Sequence, residues 1–376
     1  MIRFNPFMYC TVGRRAELER GMAGKDALLY QRMLDEIAEY VAYADEVGYA
    51  GWGHPEHHLQ IEGFEASNDP TLMGMWIGMH SKRLRVITCG FVSTVHNPLR
   101  TAEAISTMDN MLKGRFGVGL VRGYQARWVE NFKIKDEVGP VGPWNKNEPM
   151  DIANREYFAE YVDLVVKALT EDTFSYQGKY WQLPAPGLKN PHEHTVYTRF
   201  GLGVDEDMNI REIGIAPRPF QTPHPPLYGG FSASMRTARF WAKYGGKPIV
   251  MSSNLEFLQT LWAAYREEAA LHEREVTPGD EAAWGGLMIC AKSDNEAQEL
   301  AEDMKWMWEN WAIPFGQPYP ELLFGSPDTL CRRIEEGAKA VPINEMFLII
   351  PQGIHDRDQI LRSLELFGEQ VIPNFS

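Results

Sequence analysis

Cysteine is scarce in this chain. Its 376 residues hold four, Cys10, Cys89, Cys290 and Cys331, far apart and forming no C-x-x-C pair. That spacing speaks against a disulfide framework or a zinc knuckle and suits a reducing compartment, so a cytoplasmic protein is expected. There is no uninterrupted apolar run of about 18 residues, and hence no expected membrane-spanning helix. The apolar patch in MIRFNPFMYC is too short and too interrupted to read as a signal segment. Positive charge is outnumbered, 37 Lys and Arg against 51 Asp and Glu, for a net charge of −14. A nucleic-acid partner is therefore not expected, because phosphate binding needs clustered cations. Internal repeats and low-complexity tracts are also missing.

Apolar residues are plentiful, 44% of the chain with 12% aromatic, which suffices for a large buried core. Strand-like and helix-like segments alternate. Buried, β-branched runs predict strands over 3–10, 84–93, 115–123, 226–232, 248–253, 285–291 and 345–351, with a further short strand leading to the stretch at 51–64. Helical patterns follow each. Met33, Leu34, Ile37, Tyr40, Val41, Ala44 and Val47 recur at about 3.6 residues until Gly48. Asn97-Pro98 opens a helix ending at Gly114, and Ser234 opens another running to Tyr244. Ser326-Pro327-Asp328 caps a further one. Eight strands each followed by a helix predict an α/β fold, a (β/α)8 TIM barrel, with a doubly wound open sheet as the alternative. We expect one domain over 1–376, with a surface hairpin at 174–183 turning at Gln177-Gly178. Insertions near 184–213 and 314–325 match no barrel element and are expected to act as lids or binding loops.

In such a barrel the residues just past each strand's C-terminal end share one mouth. The stretch GWGHPEHHLQIEGF (51–64) lies there, followed by His96, Arg122 and Ser232 at later strand ends. Three readings of the histidines stand open: metal ligands, with His54, His58, His96 and His224 as the set; a proton-transfer site; or structural polar residues. Arg122, between Gly119 and Gly123, suits an anion such as phosphate through charge-assisted bonds, or a salt bridge at the rim. In GGFSAS (229–234), Ser232 and Ser234 sit where a helix begins and its free N–H groups favour an anion; a plain serine cap is the alternative. The aromatic-dense stretch KWMWENWAIPFGQPYPELLF (305–324) reads as core packing or as an apolar lid.

Five stretches, taken together and in order, resemble the bacterial luciferase-like flavin-dependent monooxygenases. They are EHH (56–58), HNPLRTAEAISTMDNMLKGRFGVGLVRG (96–123), FSYQGKYW (174–181), APRPFQTPHPPLYGGFSAS (216–234) and FGSPDTLCRRIEEGA (324–338). The resemblance implies a (β/α)8 barrel binding reduced FMN at the strand C-termini. A separate NAD(P)H:flavin reductase would supply the flavin, and O2 would give a peroxyflavin that oxygenates a small apolar or aromatic substrate. It implies His57 as the proton-transfer residue beside the flavin, Glu56 as an orienting carboxylate, and His58 as structural. It implies a non-prolyl cis peptide at Cys89-Gly90, with Gly90, Gly229 and Gly230 giving the flavin backbone room. Arg122, Ser232 and Ser234 would bind the phosphate, and no metal is implied. Phe231 stands where the luciferases carry an acidic residue, so only a backbone contact is expected there. Val121 replaces their cysteine, and light emission is not implied. Homodimers or higher homo-oligomers are common in the family. Two alternatives remain: a dehydrogenase on the same barrel using flavin or coenzyme F420, and a metal-dependent barrel hydrolase.

Overall fold

A computed structural model describes residues 1–190, 203–231, 234–317, 319 and 321–375. Contacts divide the chain into two compact units. One comprises Met1–Phe91, Gly117–Leu120 and Pro226–Ser376; the other comprises Val92–Phe116 and Val121–Pro225. Among the described residues no helix is long and apolar enough to cross a membrane.

The first unit is built on a closed parallel barrel. In chain order the strands are β1 (Arg3–Phe7), β2 (Gly51–His54), β3 (Arg85–Val92), β4 (Phe116–Val121), the hairpin strands β5 (Tyr176–Gln177) and β6 (Gln182–Leu183), β7 (Leu227–Gly229), β8 (Lys247–Val250), β9 (Ala283–Cys290), β10 (Leu322–Gly325) and β11 (Glu345–Ile349). The sheet runs β9-β11-β1-β2-β3-β4-β7-β8, and β8 pairs back onto β9. These are the eight strands expected from the sequence, most of them shorter than the apolar run, while β9 begins two residues before its run, at Ala283. The ninth strand, β10, falls in the expected 314–325 insertion. It pairs with Leu287–Cys290, the upper half of β9, whereas β8 pairs with Ala283 and Trp284 at its start.

The barrel is filled rather than hollow. Phe7, Ile87, Tyr228, Ile249, Leu287 and Phe347 meet in one buried cluster, each stabilising the fold by about 1.5–3 kcal/mol through burial. At the strand N-termini the filling is polar. The carboxylate of Glu345, 1% exposed, accepts from Asn5 Nδ2 at 3.1 Å, Tyr228 Oη at 2.9 Å, Lys247 Nζ at 3.1 Å and Arg3 Nη2 at 3.4 Å. Burial opposes its charge, but Lys247 and Arg3 outweigh that and hold its pKa below the ordinary value. Helices begin where the sequence places caps: the Asp69 carboxylate accepts from Thr71 and Leu72 N–H, with Pro70 in the first turn.

Among the described residues the second unit carries the α-helices Pro98–Met111, Ala126–Phe132 and Pro149–Thr170. The first and last are joined by the Thr101–Tyr161 hydroxyl pair at 2.6 Å. The expected hairpin forms from β5 and β6, with Gly178 N–H bonded to the Trp181 carbonyl across its turn. Part of the 184–213 insertion lies outside the described residues. The remainder returns to the unit through bridges pairing Lys189 with Asn209 and Phe174 with Ile213.

Candidate functional site

Strand β2 stops at His54 because Pro55 cannot donate to the ladder. The chain beyond runs back across the loop that follows β1, with Ala66 N–H on the Cys10 carbonyl and Val12 N–H on the Gly63 carbonyl. This folded-back segment fixes the histidines. His57 N–H reaches the Ser67 carbonyl at 2.8 Å. Its ring Nδ1 stands 3.2 Å from Glu65 Oε2, with both residues buried, at 8% and 6% exposure. Glu56, equally enclosed, meets His58 Nε2 at 2.8 Å. His54 is fully buried, with Nδ1 3.2 Å from the Pro55 carbonyl, and burial pushes its pKa down to about 4. Among the described residues no three His, Cys, Asp or Glu side chains gather in a form that could hold a metal ion. His224, part of the four-histidine set, instead bonds the Pro225 carbonyl at 2.8 Å.

Aromatic side chains from several strand ends stand over the barrel core. Phe231, just past β7, meets Phe7 of β1 edge-on with centroids 4.9 Å apart, and Phe7 meets Tyr9 at 5.6 Å. Tyr9 in turn faces Trp308 at 6.3 Å. Phe64 stacks on Trp311 at 4.8 Å, and Trp311 meets Phe315 at 5.0 Å. The stretch at 305–324 thus contributes packing, since Trp308 and Trp311 are buried, and also extends the core upward past the strand ends. Burial, reinforced by the Glu65 carboxylate, raises the pKa of the Tyr9 hydroxyl and keeps it protonated. The ring contacts Phe231–Phe7–Tyr9 thus join the end of β7 to the loop after β1, and the Glu65 charge acts on the Tyr9 hydroxyl.

The Cys89-Gly90 peptide is cis, as the resemblance implies. The glycine at 90 has a further reason: a Cβ there would lie 2.0 Å from the Gly119 carbonyl of β4. Close approach of two strands alone demands it. Burial raises the pKa of the Cys89 thiol, so it is no nucleophile at neutral pH. At Gly229 a Cβ would stand 1.9 Å from Trp241 Nε1, so an indole occupies the room left there. Gly230 follows in a turn, half-buried, and Phe231 adopts φ +31°. Ser232 lies outside the described residues. Ser234 caps the helix Met235–Tyr244, its Oγ accepting from Thr237 N–H at 3.1 Å.

Arg122 belongs to the second unit, where its Nη1 donates to Asp151 Oδ1 at 2.8 Å. Asp151 also meets Arg155 at 2.8 Å and accepts from Asn147 N–H. Burial works against its charge, yet the bonds from Arg122 and Asn147 and the two arginine charges lower its pKa. The guanidinium is a third exposed. Glu65, Tyr9 and Asp151 belong to no motif, and their roles follow only from chain reversal and helix placement.

The sequence profile of the luciferase-like monooxygenases matches residues 19–340. The chain belongs to that family. Its relatives include 3,6-diketocamphane 1,6-monooxygenase of Pseudomonas putida, 22% identical over 88% of this chain and 90% of that one. Among solved structures, the oxygenating constituent of 3,6-diketocamphane monooxygenase from P. putida, a type II Baeyer–Villiger monooxygenase in complex with FMN, aligns with a TM-score of 0.70. The identity is 19%, over 99% of this chain and 98% of that one. The coenzyme F420 dependent tetrahydromethanopterin reductase of Methanopyrus kandleri aligns at 0.64 with 14% identity, over 100% and 99% of the two chains. At these identities the structural likeness establishes the barrel fold and leaves the cofactor to the site itself.

Proposed function

We propose that this protein is a monooxygenase that uses reduced FMN and O2 to oxygenate a small apolar or aromatic molecule. The observation that carries the reading is the half-exposed Phe231, packed edge-on against Phe7 at the strand ends, in the unit that also encloses the His57–Glu65 pair. A planar, largely apolar ring system suits such a surface. Phe231, a large aromatic left 38% exposed directly over the core, is the position such a ring would cover. The anionic tail suits the start of the helix Met235–Tyr244, where the helix dipole is positive. The residues present therefore fit FMN.

When bound, reduced FMN supplies the electrons that activate dioxygen. The protein's own part is to hold, orient and protonate. His57 accepts and returns a proton through its imidazole. Glu56 keeps His58 in place. The backbone at Cys89, Gly90, Gly229, Gly230 and Phe231 would lie against the flavin. Ser232 and Ser234 would bind the phosphate, as would Arg122, whose Nη1 also donates to Asp151. The buried tryptophans at 308 and 311 keep water away from the reacting atoms. A separate NAD(P)H:flavin reductase supplies the reduced flavin, and the enzyme works as a homodimer or higher homo-oligomer.

The test is turnover of apolar ketones, alkanes and aromatic heterocycles with a flavin reductase under 18O2. One 18O atom in the product is the expected result. Product formed without O2, together with tight binding of coenzyme F420, would instead support a dehydrogenase, the second reading favoured by the fold shared with the F420 dependent reductase.

A further inference from the structure

We propose that Tyr9 is a specificity-determining residue whose hydroxyl donates to a carbonyl oxygen of the substrate, so that the molecule oxygenated is a ketone or an aldehyde. This rests on the reading above and narrows its substrate class. The strand dictates where Tyr9 stands. Phe7, the last residue of β1, fills the barrel, and Met8 N–H still bonds the Gly53 carbonyl of β2 at 3.1 Å. Side chains alternate along such a ladder, so Tyr9 returns to the barrel-filling side one step nearer the rim. The edge-on contact of its ring with Phe7, centroids 5.6 Å apart, fits that alternation.

Phe7 and Trp308 hold the ring between them, and neither offers anything to its hydroxyl. Among the described residues the Tyr9 oxygen neither donates nor accepts a hydrogen bond. The residue nonetheless stays partly exposed above the core. A single polar atom set in an apolar wall is how a binding site fixes the orientation of its ligand, and a covered tyrosine hydroxyl ordinarily finds a partner. The group remains a donor, because burial, and after it the Glu65 charge, raises its pKa. What it calls for is therefore an acceptor. The Glu65 charge disfavours an anion beside it, and a carbonyl accepts without bringing a hydrogen that needs a partner of its own. Since the ring is already fixed, the bond forms at little cost in side-chain freedom.

The experiment compares the full-length parent with Tyr9→Phe, each loaded with reduced FMN in the absence of oxygen. Two methyl ketones, acetophenone and 2-undecanone, are titrated beside the alkenes α-methylstyrene and 2-methyl-1-undecene, in which a CH2 group replaces the carbonyl oxygen. The ratio of ketone to alkene affinity should fall about 3–10-fold from parent to Tyr9→Phe, the worth of one neutral hydrogen bond. Alkene affinity, FMN affinity and the thermal midpoint should stay as they are, because phenylalanine keeps the ring that Phe7 and Trp308 hold. With acetophenone labelled with 13C at the carbonyl, the bound resonance should lie further downfield in the parent than in Tyr9→Phe. An unchanged ratio, an identical carbonyl resonance in the two proteins, or failure of the parent to bind either ketone would overturn the assignment. So would a loss of FMN affinity equal to the loss for ketones, which would give the hydroxyl to the flavin instead. The oxygenase reading fails separately, when no product formed under 18O2 carries the label, since these titrations involve no turnover.

Discussion

Phe231 rests edge-on against Phe7, with centroids 4.9 Å apart and ring planes at 76°. The pair links the end of β7 to the end of β1, and Phe231 stays partly exposed. Aromatic pairs add about 0.5–1.5 kcal/mol beyond burial, so Phe231→Ala should weaken FMN binding by about three- to tenfold. Anaerobic titration with reduced FMN measures this. Phe231→Gly, which suits the φ of +31°, should lose the same affinity without loss of thermal stability. Unaltered binding in both variants would place the ring system elsewhere.

Arg122 already shares Asp151 with Arg155. Removing it leaves Asp151 with Arg155 and the Asn147 N–H, so the fold should survive. A hydrogen bond to a charged group contributes about 1.5–3 kcal/mol, and Arg122→Ala should accordingly weaken FMN by about tenfold or more. Riboflavin, which has no phosphate, should bind the variant and the parent alike. An equal loss for both flavins would show that the arginine supports structure rather than the anion.

His54 makes a prediction about acid stability. Its folded-state pKa, about 4, lies below the ordinary value of 6.5. The unfolded chain therefore takes up a proton that the folded chain refuses. The stability held by neutral His54 is complete above about pH 6.5 and declines as pH falls toward 4, by about 3 kcal/mol for a shift of this size. His54→Gln should flatten the dependence of urea midpoints on pH between 6.5 and 4. An unchanged slope would mean that the ring is protonated inside the fold.

Glu345 should behave as the key of the barrel floor. Glu345→Ala leaves Lys247 and Arg3 with the less buried Asp280 as their remaining shared anion, and losing one partner of a buried pair typically costs about 3–5 kcal/mol. Its depressed pKa means that its contribution is present above the ordinary carboxylate range and disappears as pH drops through the folded value. Chemical denaturation of Glu345→Ala at neutral pH should show the loss directly, and Glu345→Gln should lose less, since it keeps an acceptor for Asn5 and Tyr228. A midpoint matching the parent would contradict this role.

The barrel was legible because its strands are short apolar runs set between well-marked helix caps. Asn97-Pro98 is one such cap: the carboxamide of Asn97 accepts from Leu99 and Arg100 N–H. Pattern failed where tertiary contact decides. Leu322–Gly325 is too short to announce a strand, and only β9 beside it makes it one. Ser326 stands at a helix start as expected, but its hydroxyl donates to Asp294 on another helix rather than capping its own. The glycines at 90 and 229 were read for a ligand, and each has a neighbour within the barrel that already requires it. Glu65 was invisible because a left-handed turn brings it back to His57, and no period or spacing encodes that reversal.

The placement of β10 has a mechanical consequence. Because β8 holds only the foot of β9 and β10 takes its upper half, the cylinder has eight staves at the base and nine at the rim. Such a taper widens the opening without lengthening any loop. It also clamps one end of the tryptophan-bearing segment into the wall, so any opening of that segment must swing from the helix Asp294–Met307 rather than lift as a free flap.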